Sequence, residues 1–198
     1  MMSTDATAAA MAVTDPGASL PPIARAAIAQ ALGRPPQAVA AVAESPWLQA
    51  LGASFVTLTQ QGELRGCIGT LEARRTLLAD VQANAVAAAL HDPRFAPLTA
   101  AELTGTAIEV SVLSPMQALR FDSEAQALAQ LQSGVDGVLF EFGAHRSTFL
   151  PQVWAQLPTP TEFMAQLKRK AGLAPDFWAA GVRLSRYRVS HWQEGAGS

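Results

Sequence analysis

Apolar and polar positions change rhythm several times along the chain, and each change marks an element. Leu20–Gly33 opens on Pro21 and Pro22 and closes at Gly33, with Ile23, Ala27, Ile28 and Leu32 on one face. Proline at a helix start and glycine past its end are the punctuation of an amphipathic helix. From Ser54 the period shortens to two. Ser54–Gln60 and Glu63–Gly69 then read as antiparallel strands joined by a two-residue loop at Gln61–Gly62. Thr76–His91 returns to helical spacing through Leu78, Val81, Ala85, Ala88 and Ala89, and Asp92–Pro97 breaks it. Thr99 and Glu102 have capping-box spacing.

The second half follows the same grammar. Gly105–Leu113 alternates as a strand and ends before Pro115, and Asp122–Gln132 reads as a helix with Ala125, Leu128 and Leu131 inward. Val138–Phe142 and His145–Leu150 form a hairpin around Gly143–Ala144, with Glu141 opposite Arg146. Thr159, Pro160 and Glu162 cap a helix that runs to Gly172, and Arg183–Trp192 reads as one last strand. Hairpins mixed with helices imply an α+β fold, an antiparallel or mixed sheet flanked by helices with a smaller lobe. A doubly wound parallel sheet is the alternative. With no internal repeat and no long linker, residues 19–193 form one domain, open to division into two subdomains. Residues 1–18 and 194–198 are expected to be tails.

Composition narrows the function classes. Of 198 residues, 49% are apolar and 15% charged, a globular balance, and the formal net charge of -2 offers no broad attraction to nucleic acid or anionic membranes. Lys168, Arg169 and Lys170, with Arg183, Arg186 and Arg188, make at most a modest basic stripe with few aromatics between. One cysteine excludes a disulfide framework and any Cys-x-x-Cys site within the chain. His91, His145 and His191 are scattered, so neither a metal nor a cofactor is expected. No basic start followed by an apolar run opens the chain, and no run of about 18 apolar residues follows. Cytoplasmic residence is expected by elimination.

The candidate chemistry lies in Leu64–Gly69. Simple alternation puts Glu63, Arg65 and Cys67 on one face and Leu64 and Ile68 on a buried one, with Cys67 opposite Val56, Ile68 opposite Phe55 and Arg65 opposite Leu58. Gly66 and Gly69 bracket the cysteine and mark a bulge or a close approach. A free thiol titrates near about 8.5, and Arg65 beside it would favour the thiolate. Thiolate, cation and exposed N–H groups are the parts of a nucleophilic or acyl-binding site. The alternative stays open: Cys67 fills space and the glycines admit a helix. Glu109 interrupts an apolar strand, either on a solvated face or as an acid/base partner of Arg65. Arg94 either anchors its loop or binds an anion. His145 is a weak candidate base, since nothing in the sequence brings it to Cys67.

Leu64-Arg65-Gly66-Cys67-Ile68-Gly69 resembles the signature hexapeptide of the AMMECR-type domain family, whose bacterial members are known as the A protein of the AmmeMemoRadiSam system. Asp92-Pro93-Arg94-Phe95, Ile108–Ser114, Gly134–Val138, Thr148–Trp154 and Leu167–Leu173 match further pieces in the same order, so the likeness runs from about Ile23 to Trp192. The resemblance implies a two-lobed domain with an antiparallel sheet flanked by helices, and partnership with a Memo-like protein and a radical SAM protein. It implies a functional surface at Arg65–Gly69, with Gly66, Ile68, Gly69 and Arg94 as ligand-binding candidates beside Cys67. It supplies no reaction, because the family has no settled activity; roles linked to RNA or translation have been proposed for it. An adaptor acting with those partners is the leading reading, ahead of an enzyme using Cys67 and of an RNA-linked role.

Overall fold

Alternate residues of Leu51–Gln60 are drawn to opposite sides, and this makes strand β1 the centre of the first sheet: Val56 and Leu58 are fully buried, while Phe55 and Thr57 are half-exposed. In this computed structural model, which describes residues 15–35 and 45–194, Gln61 and Gly62 both take positive φ, 52° and 84°. Two positive φ values give the tight turn whose twist suits a hairpin, and the chain returns as β2 (Glu63–Gly69). β3 (Arg75–Thr76) pairs with the start of β1; β4 (Thr106–Leu113) lies on the far side of β1, and β9 (Val189–Gln193) beyond it. The sheet order is β2-β1-β4-β9.

Helices α1 (Leu20–Ala31) and α3 (Leu77–Leu90), with the short α2 (Pro46–Gln49), cover one face only. Ile23 and Ile28 of α1 and Val81, Ala85 and Ala88 of α3 bury against Val56, Leu58, Ile108 and Val110. The alanines of α3 let it sit close to the sheet. A side chain on Gly66 would run into the Ala88 carbonyl of that helix. One buried carboxylate ties the layers: Asp80 of α3 accepts from the Ser54 N–H and hydroxyl, Thr70 Oγ1, Asn84 Nδ2 and Arg75 Nε, all at 2.7–2.9 Å.

The second sheet has the order β5-β8-β6-β7, from β5 (Gln117–Ala118), β6 (Gly137–Phe142), β7 (His145–Phe149) and β8 (Arg183–Tyr187). It packs on α4 (Glu124–Ala129) and α5 (Pro160–Lys170) around Phe140, Phe163 and Trp154, whose rings stack with Phe163 at 3.8 Å between centroids. The chain crosses between the sheets twice, at Ser114 and Arg188. These residues hydrogen-bond each other both ways, and Ala53, Leu113 and Tyr187 pack beside the crossing. Every strand pairing is antiparallel, so the fold is α+β and the doubly wound alternative is excluded.

Some expected boundaries move. The last strand is two strands, because Arg188 spends its backbone on Ser114 and passes the chain to the other sheet. The helix expected over Asp122–Gln132 is only Glu124–Ala129, started by the Ser123 hydroxyl, and Ala127 faces inward while Ala125 is exposed. Residues 15–18 and 194, expected in the tails, are held to the domain. Asp15 accepts from Trp192 Nε1 at 2.6 Å, and Glu194 pairs with Arg25; residues 1–14 and 195–198 lie outside the described residues. The basic stripe is broken, since Lys168 is buried against Glu124 and Arg186 bonds the Gln130 carbonyl. Among the described residues no helix is long and apolar enough to cross a membrane.

The contact between Gly66 and α3 yields a measurable cost. Gly66→Ala must push strand and helix apart, and is expected to lower unfolding free energy by about 1–3 kcal/mol, read from urea denaturation. Gly62→Ala meets no neighbouring atom and strains only its own positive φ, so it serves as the comparison in the same hairpin.

Candidate functional site

The hexapeptide occupies β2, and its register decides what it displays. Gln60 pairs with Glu63 and Thr59 with Leu64, but then Leu58 pairs with Gly66, Thr57 with Cys67 and Val56 with Ile68. One extra residue, Arg65, stands between the two registers as a bulge. Simple alternation misses it, and every partner beyond is displaced by one. Gly66 and Ile68 therefore face the helices, Cys67 faces away from them, and Leu64 stands 42% exposed where it was expected to be buried.

β2 is an edge strand, and an unpaired edge exposes backbone donors and acceptors. Asp92, just past the end of α3, closes this one. Its Oδ2 accepts from the Cys67 N–H at 2.9 Å, and Arg94 Nη2 donates to the Cys67 carbonyl at 3.2 Å. Arg94 grips Asp92 in turn, Nε to Oδ1 at 2.9 Å and Nη2 to Oδ2 at 2.7 Å, and the Arg94 N–H adds a third bond. Asp92 is 4% exposed. The Arg94 hydrogen bonds hold its carboxyl well below the ordinary carboxylate range; burial opposes the shift, and the Cys67 and Arg94 N–H groups reinforce it.

On the open face of the first sheet, Cys67, Thr57, Glu109 and Gln193 lie side by side across four strands. Cys67 Sγ is 3.4 Å from Thr57 Oγ1. Glu109, on the other side of Thr57, has no hydrogen-bond or ion-pair partner among the described residues. With strands about 4.8 Å apart, the Cys67 and Glu109 backbones stand about 10 Å from one another. The two side chains therefore do not bond each other directly, and Thr57 stands between them. Ser111 and His191 form the next row, beside Phe55, whose ring covers the place where a side chain on Gly69 would stand. Among the described residues no three His, Cys, Asp or Glu side chains converge to hold a metal.

The model of the family described as AMMECR1 matches residues 21–192. The chain belongs to the AMMECR1 family. It is 37% identical over 134 residues to Protein MJ0810 of Methanocaldococcus jannaschii, covering 67% of each chain. It is 39% identical over 142 residues to a protein of Methanothermobacter thermautotrophicus, covering 71% of this chain and 74% of that one. Among solved structures it is similar to the uncharacterized protein PH0010 from Pyrococcus horikoshii, with a TM-score of 0.79, 30% identity, and coverage of 90% and 91% of the two chains.

In this AMMECR1-family chain the expected site residues do not all meet. Arg65 is not aimed at Cys67: its guanidinium donates to the Ala96 carbonyl at 2.8 Å and pairs with Glu102 at 3.2 Å, because the bulge turns it toward the loop after α3. The cation beside Cys67 is Arg94, and it acts as the anchor of its loop. Glu109 shares the Cys67 row but does not pair with Arg65. His145 lies in the second lobe, its Nδ1–H donating to the Ala171 carbonyl at 2.8 Å, and it is not part of the row. Gly66, Ile68 and Gly69 position the strand: one admits α3, one packs in the core, and one lies beneath Phe55. Thr57 and the grip of Asp92 on Cys67 were missed. Thr57 carried no signal apart from alternation; Arg two residues after a helix-ending Asp is a local pattern that signals the Asp92–Arg94 pair but not its hold on Cys67.

Asp92 gives a pH prediction. Its folded pKa is depressed, so its contribution to stability is complete above the ordinary carboxylate range and is lost as pH falls below that range toward its own value. Asp92→Asn is expected to destabilise the protein at neutral pH, and the gap to wild type is expected to close under strong acid. Urea unfolding across an acid series measures it; a gap independent of pH would remove the ionised clamp from the account.

Proposed function

We propose that this protein is a binding component, which presents the open face around Cys67 to a Memo-like protein and a radical SAM protein. The observation that supports it is the set of bonds Cys67 makes. A catalytic thiol needs a base within hydrogen-bond reach and donors aimed at the developing anion. Here the Sγ neighbour is a threonine hydroxyl, and the Cys67 N–H is already given to Asp92. The half-exposed row of Cys67, Thr57 and Glu109 supplies polar positions for a partner, with a carboxylate that no described residue satisfies.

A second reading is favoured by that same carboxylate. A ligand carrying a proton between Cys67 and Glu109 would make Glu109 a general base and Cys67 a nucleophile. The two readings part on one pair of variants. Under the binding reading, Cys67→Ser leaves co-purification with the two partners intact, while Glu109→Arg weakens it at least about tenfold. Under the enzyme reading, Cys67 is alkylated faster in the folded protein near neutrality than in the unfolded control. Wild type that captures neither partner, together with a fast native thiol, would overturn the binding proposal.

A further inference from the structure

A second surface adjoins the hexapeptide and is chemically unlike the first. Between the loop that follows Gly69 and strand β7 of the other lobe lies a cleft of about 540 Å³, lined by Thr70, Glu72, Arg74, Arg75 and Arg146 among others. Three guanidinium groups meet there, from two lobes. A single carboxylate, Glu72, holds two of them: Arg74 donates Nε and Nη2 to its Oε2 at 2.9 and 2.5 Å, and Arg146 reaches its Oε1 at 2.6 Å. The third, Arg75, is held by Asp80 through Nε at 2.8 Å.

The cluster has donors to spare. Asp80 already accepts from Ser54, Thr70, Asn84 and Arg75, which fills its lone pairs. Glu141 is a weaker neighbour of Arg146, at 3.5 Å. The Nη1 groups of Arg74, Arg75 and Arg146 make no hydrogen bond among the described residues. Glu72 is exposed at 39% and sits on a loop, whereas Asp80 is 1% exposed on a helix. The exposed carboxylate is the exchangeable one. Arg74 takes one Glu72 oxygen through Nε and Nη2 and Arg146 the other through Nη2, and guanidinium groups offer the same donors to any planar or tetrahedral oxyanion. They also hold the Glu72 carboxyl below its ordinary range, Arg74 most and then Arg146.

We propose that this cleft between the lobes is a binding site for a phosphate ester of a small organic molecule, whose phosphate takes the place of the Glu72 carboxylate between Arg74 and Arg146. This site lies outside the surface of the partner reading and is independent of it, since no residue of the Cys67 row takes part. The volume lies within the range that encloses small ligands. A phosphate carries more charge and more acceptor oxygens than the carboxylate it displaces, so it also engages the free donors, including those of Arg75. Displacing Glu72 costs its two ion pairs, and these are surface pairs of small net worth.

The test uses the full chain and calorimetric titration with inorganic phosphate, adenosine monophosphate and adenosine. Adenosine monophosphate is expected to bind saturably and more tightly than inorganic phosphate, and adenosine not at all. Arg146→Gln and Arg74→Gln are each expected to weaken it by about tenfold, and Arg120→Gln, far from the cleft, to leave it unchanged. Glu72→Gln decides between a ligand site and a mere fastener between lobes. It removes the internal competitor and is expected to tighten binding several-fold, even though it removes two ion pairs. No saturable binding by wild type, or weaker binding by Glu72→Gln, would overturn the proposal; equal affinity for inorganic phosphate and adenosine monophosphate would overturn the assignment to an ester.

Discussion

The backbone of Gly66 lies against the Ala88 carbonyl of α3, and the display of the hexapeptide depends on that approach. A strand alternates its side chains without choice. Once Gly66 is on the helix face, Cys67 must be on the other. The tight turn at Gln61–Gly62 imposes the opposite parity on the strand that leaves it. The bulge at Arg65 reconciles the two constraints by spending one residue, and this is why Arg65 leaves the ladder and is free to bind Glu102 and the loop before it.

Both ends of α3 then act on the same strand. Near its start, Asp80 gathers Ser54 and Thr70, which fixes the chain just after the hexapeptide; past its end, Asp92 takes the Cys67 N–H. Two buried carboxylates one helix apart thus pin the C-terminal part of β2, at Cys67 and just past Gly69, against the layer beneath. The free edge of the strand is filled, so extension of the sheet by another strand at Cys67 is blocked. What remains available to another molecule is the open face and, past Gly69, the cleft.

Much of this architecture was legible because it rests on periodicity and caps. The Gly143–Ala144 hairpin, with Glu141 opposite Arg146, and the Thr99–Glu102 and Thr159–Glu162 boxes are local features, and each occurs where the spacing puts it. The AMMECR1 match and the α+β class follow from motif order and from the mixing of hairpins with helices. The site was only half legible. Cys67 and Glu109 were named, but the neighbours of Cys67 depend on the bulge, which Gly66 hints at without placing: the extra position at Arg65 is one that any residue of a simple strand occupies equally well. Long-range tertiary bonds were equally hidden. Nothing near Asp92 states that its carboxylate reaches 25 residues back to a strand edge.

The same limit applies to charge. A formal net charge of -2 describes the whole chain, yet the molecule sorts its charges by depth. Asp80, Asp92 and Asp136 go inside, where they accept backbone and side-chain donors, whereas Arg74 and Arg146 remain at a mouth between lobes with a single exposed carboxylate shared between them. Buried acids spend their charge on the fold and leave little for solvent. Local field at a cleft is set by the charges left unspent there, and a chain that is acidic in sum can be basic at the place where a ligand arrives. For this fold, then, the arginines of the loop after Gly69 say more about ligand chemistry than does the total.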